Sequence, residues 1–158
     1  MSQLCVVALY LLFAVATHIC YADVTKLSAE DRKTLQDSSR FREVHLVHDL
    51  PPAIVALCAG DGGEIADPGH NWNATDSIID PSLPGKRLIW AAIGGDYDVV
   101  HYERGGIAHT FHILVAKSAK NDAKPKVAWS AVGGPFKDYA AFIDALRTGK
   151  LGDRLDWR

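Results

Sequence analysis

A chain of 158 residues that is 48% hydrophobic and 23% charged carries enough apolar material for one domain with its own core, which argues against wholesale disorder. Its formal net charge of -2 at pH 7 supplies no broad positive field, and so gives no electrostatic reason to expect nucleic acid or an anionic membrane as partner.

The first residues differ from the rest. Leu4 to Ala16 is almost wholly apolar, and no charged side chain precedes Asp23. Such a run falls short of the roughly 20 residues that cross a bilayer. It has the form of an export leader's apolar segment, although no Lys or Arg precedes it, and Cys20-Tyr21-Ala22 offers small residues where a signal peptidase reads. Residues 1–22 are therefore expected to be a signal peptide and 23–158 a single α+β domain, periplasmic or secreted, without a membrane span after cleavage. A retained anchor is the alternative. Cys5 and Cys20 leave with the leader, so Cys58 stands alone and an internal disulfide is not expected.

Ser28-Ala29-Glu30-Asp31 predicts a capped helix start, with a short helix to about Asp37. Phe41 to His48 reads as a strand. Pro51 and Pro52 suit the first turn of a second helix, whose body Ala53–Ala59 is apolar on every side and which Gly60 stops. From Gly60 to Lys86 the turn chemistry is dense enough to predict one long loop, pinned by Trp72, Ile78 and Ile79. Arg87 to Lys117 then reads as three strands hinged at Gly94-Gly95 and Gly105-Gly106. Lys126 to Val132 is a fourth strand, after the polar turn Ser118–Pro125. From Phe136 to Arg147 the apolar residues recur at helical spacing, which predicts a final helix lying on the sheet. Leu155 and Trp157 are expected to anchor the tail. The fold class is α+β: an antiparallel four- to five-stranded meander sheet with one face covered by helices.

A two-residue turn at Gly105-Gly106 sets Tyr102 opposite His109. Ile89, Ala91, Val100, Tyr102, His109, Phe111 and Ile113 then form the face beneath the final helix. Leu88, Trp90, His101, Glu103, Thr110 and His112 form a mixed face, partly open to water. With Trp72 on the neighbouring loop, the residues Trp72, Trp90, His101, Glu103, Thr110 and His112 make a candidate ligand-binding surface. In this register His101 and His112 are diagonal neighbours about 7 Å apart, within reach of a shared ligand. A histidine-based transition-metal binding protein is thus one alternative. A small hydrolase using a His/Glu pair, His101 or His112 with Glu103, is another. Neither serine Ser118 nor Ser130 sits in a nucleophile elbow, Cys58 lies in an apolar helix, and no glycine pair fits a phosphate loop. No catalytic residue, metal ligand or cofactor is assigned, and an enzyme is the less expected outcome.

The run LPGKRLIWAAIGGDYDVVHYERGGIAHTFHILVA, followed by KDYAAFIDALRTGKL, resembles segments of small exported proteins of Gram-negative bacteria that have no assigned activity. The resemblance covers Leu83 to Leu151, implies a bacterial host and a periplasmic address, and transfers no functional residue. The expected function is a non-catalytic periplasmic or secreted binding module for an unidentified protein or small-molecule ligand.

Overall fold

Ser28 opens the first helix by accepting the Asp31 amide on its Oγ at 3.0 Å, and α1 runs Ala29–Gln36 behind it. The computed structural model describes residues 27–60, 63–78, 80–118 and 124–151. The leader 1–22, Ile79 and the tail residues Leu155 and Trp157 lie outside the described residues. Strand β1 is Arg42–Val44, shorter than the expected run. The chain turns instead into a single 3-10 turn, Val47–Asp49, whose first amide donates to Asp67 Oδ1 at 2.5 Å. Helix α2, Pro52–Ala59, ends where Gly60 takes a φ of 75°, a conformation glycine adopts without steric cost.

Strands β2 (Lys86–Ile93), β3 (Tyr97–Arg104), β4 (Thr110–Lys117) and β5 (Lys126–Val132) follow, and α3 (Tyr139–Arg147) completes the domain. All neighbours pair antiparallel in the order β1-β2-β3-β4-β5, so the fold is an α+β five-stranded meander. Helix α3 begins later than Phe136 because Asp138 takes the cap position, accepting the Ala141 amide at 2.7 Å. Among the described residues no helix is long and apolar enough to cross a membrane.

Helices cover both faces of the sheet. On one face, α1 and α3 enclose Trp90, Ala92, Val99, Ile113, Val115 and Trp129 around Leu35 and Phe142. Asp31 fastens α1 there, receiving Lys117 Nζ and the Tyr97 hydroxyl, each at 2.6 Å. On the other face, α2 lays Ile54 and Cys58 on Leu88, Ala91, Val100, Tyr102 and Leu114. Ala53 and Ala56 point to solvent, so α2 is buried along one stripe only and not all round. Burying each large apolar side chain contributes about 1.5–3 kcal/mol, and the α1/α3 side holds most of them.

Two local irregularities overturn the expected faces. A bulge between Leu88 and Trp90 puts Leu88 on the same side as Ala91. The β3–β4 connection takes five residues, 105–109, so Tyr102 pairs with His112 and His101 with Ile113. A shift of three places turns the whole of β4 over, because side chains alternate with a period of two. Phe111, Ile113 and Val115 thus join the side of Trp90 and His101, while His112 joins the side of Tyr102. Helix α3 covers Trp90 and His101, not Ala91 and Tyr102.

Candidate functional site

The loop between α2 and β2 is built from turn residues and is held at several points. Ala66 bridges to Arg87 in parallel fashion, its amide donating to Lys86 O at 2.9 Å and its carbonyl accepting from Leu88 N at 2.9 Å. The Asn73 amide side chain donates to Asp80 O at 2.8 Å and Leu83 O at 2.9 Å, tying the loop to itself. The Asn73 carboxamide is therefore engaged in the fold. Thr75 bridges to Gly106, and the Gly105 amide donates to Gly85 O at 3.0 Å. Gly105 permits this approach, since a Cβ there would collide with the Asn73 carbonyl and with Ala74. Ile78, expected to pin the loop, is 66% exposed.

Between this loop and the β3–β4 turn lies a groove of about 630 Å³. Lys86 and Arg104 line its sheet side, with Gly85 and Gly105 beside them. Asn73, Ser82, Glu64 and Asp76 line the loop side. Lys86 is anchored by Cys58 O at 2.6 Å and Ala59 O at 3.2 Å, at the carbonyl end of α2. Burial, followed by the nearby Arg104 charge, holds its ammonium below the ordinary lysine value.

The six candidate residues fall into three pairs. Trp72 reaches Glu103 through two intermediaries. Its ring lies 5.1 Å from the Arg87 guanidinium and 5.4 Å from the His109 ring. The buried Glu103 carboxylate accepts Arg87 Nε at 2.5 Å and lies 2.7 Å from His109 Nε2. The imidazole on Glu103 is therefore that of His109, and His109 is not the core residue that its expected register implied.

Trp90 and His101 form the second pair, with ring centroids 5.3 Å apart, both fully shielded from solvent. They lock the segment that leads into α3. Trp90 Nε1 donates to Phe136 O at 2.8 Å, and the Phe136 amide donates to His101 Nε2 at 3.1 Å. His101 Nδ1 then donates to His112 O at 2.8 Å. Both side chains are sealed from solvent and spend their ring nitrogens on the backbone, so neither presents a polar group to a dissolved ligand. Burial holds the His101 imidazole below its ordinary value.

Thr110 and His112 form the third pair, on the opposite face, with Thr110 Oγ1 2.7 Å from His112 Nε2. His112 stacks on Tyr102 at 5.1 Å and 12°. Burial, then the charges of Arg104 and Lys86, lower its pKa to about 4. His101 and His112 thus point to opposite sides of the sheet and share no ligand. Among the described residues no group of three His, Cys, Asp or Glu side chains is placed to hold a metal ion.

Sequence reasoning passed over Arg87, Lys86 and Arg104. The available signal was that Lys86-Arg87 opens β2 while Arg104 ends β3, which brings cations together at one end of a hairpin. No protein-family model, curated protein or solved structure matches the chain.

Proposed function

We propose that this chain is an exported, non-catalytic binding module, periplasmic or secreted, and that its ligand is a small molecule held in the groove between residues 63–78 and 80–85 on one side and the β3–β4 turn on the other. The observation that carries the proposal is the groove itself: about 630 Å³, within the range of small-molecule sites, with polar and charged groups converging on a sheet edge. Its loop wall is fixed by Asn73, by the Ala66–Arg87 bridge and by the docking on Gly105, so the shape is largely built before a ligand arrives. The apolar leader-like stretch of the sequence supports export. The metal and hydrolase alternatives call for a His101–His112 pair or for one of these histidines on Glu103, and the sheet register supplies neither.

The experiment is a ligand-observed NMR screen of soluble metabolites against the wild type and Gly85→Trp. Gly85 lines the groove and a Cβ there meets nothing within 4 Å, so its immediate surroundings have room for a tryptophan, which is intended to obstruct the groove. Ligands should bind the wild type, move groove amides and lose affinity for the filled variant. Ligands that bind both chains equally, or a screen in which no compound moves a groove amide, would refute the proposal.

A further inference from the structure

We propose that the sheet side of this groove is an oxyanion site, at which Lys86 and Arg104 together bind the carboxylate or phosphate group of a small molecule. The inference rests on the groove being the binding site. Lys86 and Arg104 stand directly opposite each other in the β2–β3 ladder and both line the cavity. Like charges facing each other across antiparallel strands destabilise the pair, and an anion between them removes that repulsion.

The geometry fixes one of the two cations in advance. Lys86 Nζ spends two donors on Cys58 O and Ala59 O, which hold it still without neutralising it. Among the described residues its bonds go to carbonyl oxygens and not to a carboxylate. Its ammonium also lies 5.7 Å from the centre of the Tyr102 ring. Arg104 contributes a planar guanidinium suited to two-point recognition of a carboxylate or phosphate. Gly85 and Gly106, where a Cβ would meet nothing within 4 Å, leave open space in the groove beside the cations.

Glu64 and Asp76 line the same groove, but on the exposed loop wall, while Lys86 and Arg104 are half-buried. An oxyanion is thus attracted at the sheet, and the acids meet the remainder of the ligand. This favours molecules that carry hydroxyl or ammonium groups away from their anionic end. The field of the two cations is felt behind the site as well, where both push the His112 imidazole toward its neutral form.

The test follows amide shifts of the labelled chain during titration with inorganic phosphate and, separately, sodium acetate at constant ionic strength. Wild type, Arg104→Gln, Lys86→Gln and Gly85→Trp are compared. Saturable shifts at Lys86, Arg104 and Gly105 are expected, and Arg104→Gln should weaken binding by about tenfold, the loss of one charge-assisted interaction. Arg104→Gln is the deciding variant because Lys86→Gln also removes the ties to α2. Response to phosphate alone assigns a phosphate-bearing ligand, response to acetate alone a carboxylate, and either supports the site. Absence of saturable shifts with both anions, or equal binding by Arg104→Gln and wild type, overturns it. Neutral metabolites that still bind the wild type and not Gly85→Trp would leave the groove standing as a binding site without the oxyanion. Failure of Gly85→Trp to affect any ligand would instead remove the groove.

Discussion

His101 shows how one side chain can join three elements. Its Nδ1 hydrogen meets the His112 carbonyl on β4, and its Nε2 lone pair accepts the Phe136 amide just before α3. The bond from Phe136 requires the neutral ring, since a second proton would place N–H against N–H there, whereas the bond to His112 O survives protonation. His112 is likewise held neutral, with a pKa of about 4 against an ordinary 6.5. In the window between these values the unfolded chain binds more protons than the folded one. Stability is therefore full above the unfolded value and falls as the pH drops toward the folded one. The slope is about 1.4 kcal/mol per pH unit for each such histidine. Asp98, whose carboxyl is raised by burial, acts in the opposite sense, so His112→Gln isolates the histidine contribution. Urea unfolding at about pH 7 and pH 5 should show a loss of stability in the wild type that is smaller in His112→Gln. Equal losses in the two chains would contradict the assignment. Alternation along β3 already separates His101 from Tyr102. Nothing in that alternation tells which of two apolar sides receives α3, since both are covered.

At the scale of elements, the strands and helices were largely readable and their register was not. β5 lies at Lys126–Val132 as its composition requires, and Ser28 and Gly60 bound α1 and α2 as capping chemistry requires. The Gly105-Gly106 pair carried a misleading signal. Two glycines between apolar runs suggest a tight hairpin turn. Here the turn is five residues long, and Gly105 serves instead to let Asn73 and Ala74 approach its backbone. That requirement comes from a loop thirty residues earlier, so no local pattern reveals it. The bulge beside Ile89 is similar, because one extra residue leaves no mark on composition. Gly105→Ala should accordingly leave the sheet intact and release the loop. Its methyl clashes with backbone, which cannot step aside as the end of a flexible side chain can. Amide exchange should accelerate at Asn73, Thr75 and Gly105, with a stability loss of about 1–3 kcal/mol. Unchanged protection at these amides would mean that the groove wall does not depend on this contact.

The molecule as a whole has two cores of unequal strength that share one sheet. The α1/α3 side contains two tryptophans, Phe142 and Leu35, all sealed from solvent. The other side is closed by α2, which has eight residues and buries only Ile54 and Cys58 fully. Helices this short have little stability of their own and depend on what they pack against. Few buried contacts hold this one, so it should lift from the sheet at a lower free energy than that of global unfolding. Cys58 reports such an event. Its thiol is 1% exposed and burial pushes its pKa up to about 12, so the folded state offers almost no reactive thiolate. Labelling must wait for α2 to open. In a chain expressed from Asp23, Cys58 is the one thiol, and its labelling rate can be followed at rising urea. At low urea the rate should depend weakly on denaturant, because lifting one short helix exposes little surface. Nearer the transition it should merge with the steep dependence of global unfolding. A single steep dependence from the lowest urea onward would show that the two cores open only together, and that α2 is as firmly part of the fold as the helices across the sheet.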